Sequence, residues 1–280
     1  MPVPATLIGV AKPDGRERLA CLMPFTLAHP AAALPFRRLN LVWSAFVIGS
    51  MAPDFPYITG SAAYRLLGHG FPAVVWFTLP AAFAALWLFH NVFKRPVIEL
   101  CPVALQQRLG ALNGDFRFGG TSRFLAILVS IVLGIVTHLV WDAFTHSYTW
   151  PWYHIVWLQG WGWLPGLGPT PRYWALQIGS SIAGLLVLAV WGVWWYFTTS
   201  VSDRQPQAPP KSRFSLAVIM FAIASMAGFL KARAVVGAPT SFLHLDKFLL
   251  VFGLTALALA FWQVLLYCLL VSSHQVWTLN

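Results

Sequence analysis

The chain has 280 residues, 58% of them hydrophobic and 9% charged, with a formal net charge of +10. A soluble domain carries about 25% charged residues, so this one has too little polar surface to face water on all sides. The excess Lys and Arg falls between apolar runs and not along one face, and no RNA-recognition, zinc-finger or helix-turn-helix signature is present, so membrane topology accounts for the charge and nucleic acid is not an expected partner.

Residues 1–22 are mildly basic without a sustained apolar core, which reads as a disordered extension and not as a cleaved signal peptide. Translation beginning at Met23 is the alternative. A single transmembrane domain is expected over 23–280. Its first part, residues 24–53, reads as two short helices flanking Arg37, Arg38, Leu39 and Asn40, with Pro24 suited to a first helical turn. Each would be about 18–20 Å long, short of a ~30 Å hydrocarbon core, so an antiparallel hairpin inserted partway is expected. That hairpin would bring His29 beside Asp54.

Five apolar runs then reach spanning length, at 71–93, 124–144, 173–199, 214–230 with its neighbours, and 248–271. The run 41–52 is too short to span alone. The expected fold is therefore all-α, a polytopic helical membrane protein with about five full spans plus an N-terminal short-helix hairpin. Residues 23–200 hold the candidate site. Residues 201–280 have no histidine or acid inside their apolar runs and read as scaffold. Cys21, Cys101 and Cys268 are scattered, with no CxxC pair, and indicate neither a disulfide framework nor a thiolate metal site.

The loop 94–123 carries Lys94, Arg95, Arg108, Arg117 and Arg123 against Glu99 and Asp115, and the loop 199–214 carries Arg204, Lys211 and Arg213. Positive-inside bias puts both in the cytoplasm, and the intervening loop 147–172, rich in Trp, Gly and Pro, outside. Lys231, Arg233 and Lys247 count against that orientation. On it, Asp54, His69 and the C-terminal end of the second span share the extracytoplasmic face.

That second span ends in THLVWDAFTH, where His138, Asp142 and His146 follow one another at i, i+4 and i+8, one face of a single helix. Ionisable groups at membrane depth cost roughly 2.5–3.5 kcal/mol each on insertion scales, which makes them functional candidates by default. Six residues are grouped: His29, Asp54, His138 and Asp142 as metal ligands, His69 and His146 as catalytic acid or base. Histidine and carboxylate without cysteine suit zinc, with manganese or iron as alternatives. On one straight helix His138 and His146 lie about 12 Å apart along the axis, so both cannot bind one ion; either two metals share Asp142, or His146 orients substrate or moves a proton. Structural alternatives stand beside these roles. His29 could be a helix-end residue, Asp54 an Asx-turn residue, His69 an interfacial one, and His138 with Asp142 a hydrogen-bonded clamp between helices. Thr137 and Thr145 could simply bond back to their own helix.

At these residues the sequence resembles a known group. MPFTLAHPAAALPF, GSMAPDFPY, GHGFP and THLVWDAFTH, in that order, resemble an uncharacterised bacterial integral membrane family and, more distantly, the bacterial membrane-bound metal-dependent hydrolases. The hydrolase group shares an early His, a Pro-Asp pair after the first apolar stretch, a His-containing loop and an H-x-x-x-D helix. Asp54 here is followed by Phe55, Pro56 and Tyr57 where that group has a second Asp and a His, and its His-rich loop is reduced to His69. The resemblance implies a bacterial cytoplasmic-membrane protein and a metal site.

Together these readings give a metal-dependent hydrolase of a membrane-associated phosphoester or other lipid-linked ester, with the bilayer as its partner. Arg65 or Arg172 would contact an anionic head group or serve as an interfacial anchor. The alternatives are a proton or metal-ion transport protein, which calls for polar positions continuing across the bilayer, and a non-catalytic protein with a His/Asp clamp.

Overall fold

A computed structural model describes residues 26–59, 70–110, 114, 116–164, 168–201, 211–238 and 242–277. The expected extension at 1–22, Arg65 and His69 lie outside the described residues. Five helices are long and apolar enough to cross a membrane: Val74–Leu100, Thr121–His154, Arg172–Thr198, Ser215–Val236 and Lys247–Val271. The regular helix Thr121–Thr145 has 25 residues, about 37 Å, enough to cover a ~30 Å core. Their large apolar side chains point outward, with Trp76 83%, Phe197 77% and Phe221 73% exposed. Such faces belong against lipid tails, and the fold is an all-α polytopic membrane architecture.

The short-helix hairpin is present. A 3-10 helix Thr26–Phe36 turns back through residues 37–42 into an α-helix Trp43–Met51, which continues as a second 3-10 segment, Ala52–Thr59. The first arm is 3-10 and not α because Pro30 and Pro35 lie inside it. Each lacks a backbone N–H, and its ring would strike the carbonyl four residues back in an α-helix.

Two stretches expected as loops are more structured. The first span runs on through Lys94 to Leu100, and a further helix covers Val103–Leu109. Within that span, π-helical turns at Val74–Thr78 and Phe89–Phe93 each precede a proline, Pro80 and Pro96. Widening the turn ahead of a proline relieves the same ring-to-carbonyl clash. Residues 147–171 hold two short helices, Trp150–His154 and Val156–Gln159, and a two-stranded antiparallel ribbon pairing Trp161–Leu164 with Gly168–Pro171.

Helix Trp43–Met51 lies along Thr121–Thr145, running parallel to it, in a fixed register. The Val42 N–H donates to Ser130 Oγ at 2.9 Å, and His138 Nδ1 meets the Ser50 carbonyl at 2.8 Å, each across 88 residues of sequence. Glycines set the approach between these points. A Cβ on Gly49 would lie 2.3 Å from the Ile131 carbonyl oxygen, and one on Gly134 would lie 2.3 Å from the Phe46 carbonyl oxygen and 2.7 Å from the Ser50 nitrogen. Ala45, Ile127, Ile131 and Ile135 fill the seam with Ala82 and Leu86 from the first span. Without a hydrophobic drive between helices inside lipid, such close backbone contact is a principal source of association.

The last two helices pack on each other, and Phe242–Trp277 also touches Ala52–Thr59 and the π-turn Phe89–Phe93, where Phe93 meets Phe261 edge-on at 5.8 Å.

Gly134→Ala and Gly49→Ala should each destabilise the protein in detergent by roughly 1–3 kcal/mol, because backbone and not a flexible side chain blocks the new methyl. Gly192→Ala, where nothing lies within 4 Å, should leave the melting temperature unchanged or raise it. Thermal unfolding of the three variants beside wild type checks this.

Candidate metal centre

The parallel register carries Asp54 past Met51 to the level of Asp142, just as it sets Ser50 against His138. His29 arrives from the other arm. Its 3-10 helix packs on Arg172–Thr198, where Gly184 makes the room: a Cβ there would lie 3.1 Å from the Ala28 carbonyl oxygen and 3.2 Å from Trp141 Cη2. The Trp141 indole N–H donates to Ser180 Oγ at 3.0 Å, tying that helix to the site helix.

His29, Asp54, His138, Asp142 and His146 thereby converge, all at most 5% exposed. Asp142 is the hub. Its Oδ1 lies 3.6 Å from His29 Nε2 and 4.0 Å from His146 Nδ1, and its Oδ2 lies 3.5 Å from His138 Nε2. Asp54 Oδ1 lies 3.7 Å from the same His138 nitrogen. The His29 and His138 rings stack with centroids 4.0 Å apart, and the edge of Trp141 closes over His29 at 5.2 Å. Asp54 is oriented by Thr26, whose hydroxyl donates to Oδ2 at 2.5 Å. The hairpin therefore does bring its two ends together, through Thr26 and Asp54, while the carboxylate closest to His29 belongs to Asp142.

The Ser50 contact fixes the chemistry of His138. A carbonyl can only accept, so Nδ1 carries the proton that it receives. In a neutral ring Nε2 then presents a lone pair toward two carboxylate oxygens. Buried charge of one sign needs positive charge among it, supplied here by a proton on Nε2 or by a cation. An imidazole that donates its far N–H to a backbone carbonyl is also the usual second shell of a metal-bound histidine. Ligand atoms of His29, His138 and Asp142 all lie within 4.8 Å of one another, so this buried group could hold a metal ion. Asp54 stands outside that triplet and reaches it through His138.

His146 departs from the expected geometry. The helix ends at Thr145, and His146 takes an extended conformation, φ −123° and ψ 151°, so it is not on the i+8 face. Its ring folds back, with Nδ1 donating to the Asp142 carbonyl at 2.9 Å. The backbone separation from His138 remains about that of a straight helix, since the helix is regular through Thr145, and the ring reaches Asp142 by folding back, with Nε2 as the basic nitrogen. Thr137 and Thr145 bond back to their own helix, at 2.7 Å to the Gly134 carbonyl and 3.1 Å to the Trp141 carbonyl. Arg172 packs on the loop that precedes its own helix, donating to the Trp157 carbonyl at 3.4 Å with its guanidinium 5.4 Å from that indole ring. Ser50, Thr26 and Trp141 were not singled out by sequence. Trp141 lies three residues after His138 and Thr26 three before His29, spacings that share a helix face, whereas a backbone carbonyl such as that of Ser50 leaves no sequence signal.

No curated protein and no solved structure matches this chain. A family model described as Domain of unknown function (DUF4184) matches residues 23–270, a stretch that takes in the hairpin, the five spans but for Val271, and every residue of the buried cluster. The chain belongs to the DUF4184 family.

Proposed function

We propose that this protein is a metal-dependent hydrolase of the bacterial cytoplasmic membrane, acting on a membrane-associated phosphoester at the extracytoplasmic face. The observation that carries the reading is the convergence of two imidazoles and a carboxylate, buried at one end of the spans, on a point that a second carboxylate also approaches. Two histidines with one carboxylate are a donor set of catalytic zinc sites, which keep a position open, more than of closed structural ones. His29, His138 and Asp142 would hold the ion, zinc by preference and manganese or iron otherwise, with Asp54 as a fourth ligand or as a partner to His138. A bound divalent ion supplies Lewis-acid polarisation of the ester and acidification of a water.

The chain's own residues divide the remaining work. Thr26 keeps Asp54 turned toward the cluster, and Ser50 keeps the His138 ring in one tautomer. His146, its Nδ1 proton given to the Asp142 carbonyl, offers Nε2 to take or return a proton. His69 is the second candidate for that task. The position near the ends of the spans suits a substrate held at the lipid surface. A conducting path has less support: along the site helix below His138 the buried side chains are Ile135, Ile131, Ser130 and Ile127, and Ser130 donates back to the Ala126 carbonyl.

Purified wild type should contain about one zinc, manganese or iron per chain by elemental mass spectrometry. His138→Ala and Asp142→Asn should lose it while remaining helical by circular dichroism. Metal-free wild type that cannot be reloaded would leave His138 and Asp142 as a proton-bridged clamp. Thr26→Val, which removes only the support of Asp54, should weaken metal affinity by about 10–100-fold, as outer-shell changes do. Metal-loaded protein should release phosphate from a lipid phosphomonoester in mixed micelles, and His146→Gln should abolish that release with metal content intact. Release unchanged in His146→Gln would remove it from the mechanism.

A further inference from the structure

A second feature lies at the opposite end of the spans. A cavity of about 420 Å³ is lined by His90, Asn91, Lys94, Arg95, Phe116 and Arg117, with the Gly114 backbone. It is remote from the metal centre. Arg123, which borders it, is 15 residues before His138 on one helix, about 22 Å along the axis.

The cavity is built and not merely a basic surface. The π-turn Phe89–Phe93 forms one wall and carries His90 and Asn91. The His90 ring lies flat on Phe116, centroids 3.9 Å apart and planes within 8°, and its Nε2 meets Ser44 Oγ at 2.8 Å. The other wall, made by Gly114, Phe116 and Arg117, is held by two cations. Lys94 Nζ donates to the Gly114 carbonyl at 2.9 Å, and Arg123 Nε donates to the Arg117 carbonyl at 2.9 Å with its guanidinium 5.5 Å from the Phe116 ring. Arg95 and Arg117 stand exposed at the mouth, and the charged residues among the described lining are Lys94, Arg95 and Arg117. On the same helix, Trp87 one turn before Asn91 is 52% exposed and Phe89 next to His90 is 41% exposed, an apolar flank to the cavity.

We propose that this cavity binds the phosphate group of an anionic phospholipid, with Arg95 and Arg117 engaging the phosphate oxygens and Lys94 adding positive charge behind them. Guanidinium forks match phosphate geometry, and basic pockets between spans on the cytoplasmic side are the form such lipid sites take. The aromatic flank is what selects a lipid over a soluble phosphate ester: acyl chains can lie along Trp87 and Phe89 while the head group enters the cavity.

The test is native mass spectrometry of the full-length protein in detergent, titrated with phosphatidylglycerol, phosphatidylcholine or soluble glycerol phosphate. Wild type should retain phosphatidylglycerol in preference to phosphatidylcholine, and the double variant Arg95→Gln/Arg117→Gln should bind it at least about tenfold more weakly, with unchanged melting temperature and metal content. Arg37→Gln, removing an arginine that packs on Trp194 outside the cavity, should bind as wild type does. Equal losses in the double variant and in Arg37→Gln would reduce the effect to general charge attraction and overturn the site. Saturation by glycerol phosphate at concentrations no higher than the lipid requires would assign the cavity to a soluble phosphate ester and overturn the lipid assignment.

Discussion

Everything at the buried cluster depends on how closely two helix backbones approach. Gly49 faces the Ile131 carbonyl, and Gly134 faces the Phe46 carbonyl and the Ser50 nitrogen, at distances no larger residue allows. That contact holds one helix in step with the other, so that Ser50 meets His138 and Asp54 comes up beside Asp142. Interior packing is too dense to deform smoothly, so a methyl group in this seam acts on the site a full turn away. The 3-10 arm, seated against Gly184, then delivers His29 from the third side.

The electrostatics follow from this packing. Two aspartates and three histidines are placed where water is scarce, and each ionised group there is expensive unless it is matched. The matching is local: Thr26 on one Asp54 oxygen, the Ser50 carbonyl on His138, the Asp142 carbonyl on His146. These contacts orient the side chains, and they leave Asp142 as the group on which three imidazoles converge. A cation at that point would offset charge the fold has already concentrated there, so the cost of holding the cluster in a lipid-facing protein and its capacity to take up a metal are two sides of one arrangement.

The spans were legible because composition alone forbids an aqueous surface and because the apolar runs are long. Four of the proposed site residues were legible for a related reason: His and Asp are costly in such runs, and His138 and Asp142 share a helix face. His29 and Asp54 were reached through the length of the hairpin arms, too short to cross a bilayer. What stayed hidden was tertiary. Nothing local announces that the helix stops at Thr145, since no glycine or proline follows until Pro151. The following turn is made instead by Tyr148 at a positive φ of 61°. The 3-10 arm and the π-turns follow from Pro30, Pro35, Pro80 and Pro96, residues that signal interruption without saying which alternative helix results. The parallel register had no sequence signature beyond two small residues, Gly49 and Gly134.

The same register has a consequence for how the molecule is made. The hairpin leaves the ribosome well before its partner helix, yet the Val42 N–H and the Ser50 carbonyl find their matches only in Ser130 and His138, 88 residues later. A chain emerging N-terminus first therefore carries a short, glycine-bearing helix and a buried-to-be aspartate that lipid cannot satisfy until the second span has entered. The hairpin must wait at the membrane surface or beside the insertion machinery, then close onto Thr121–Thr145 once that helix is in place. Completion of the cluster thus waits on the second span, and the seating of its His29 arm on Arg172–Thr198, an order set by the chain and not by the strength of any one contact.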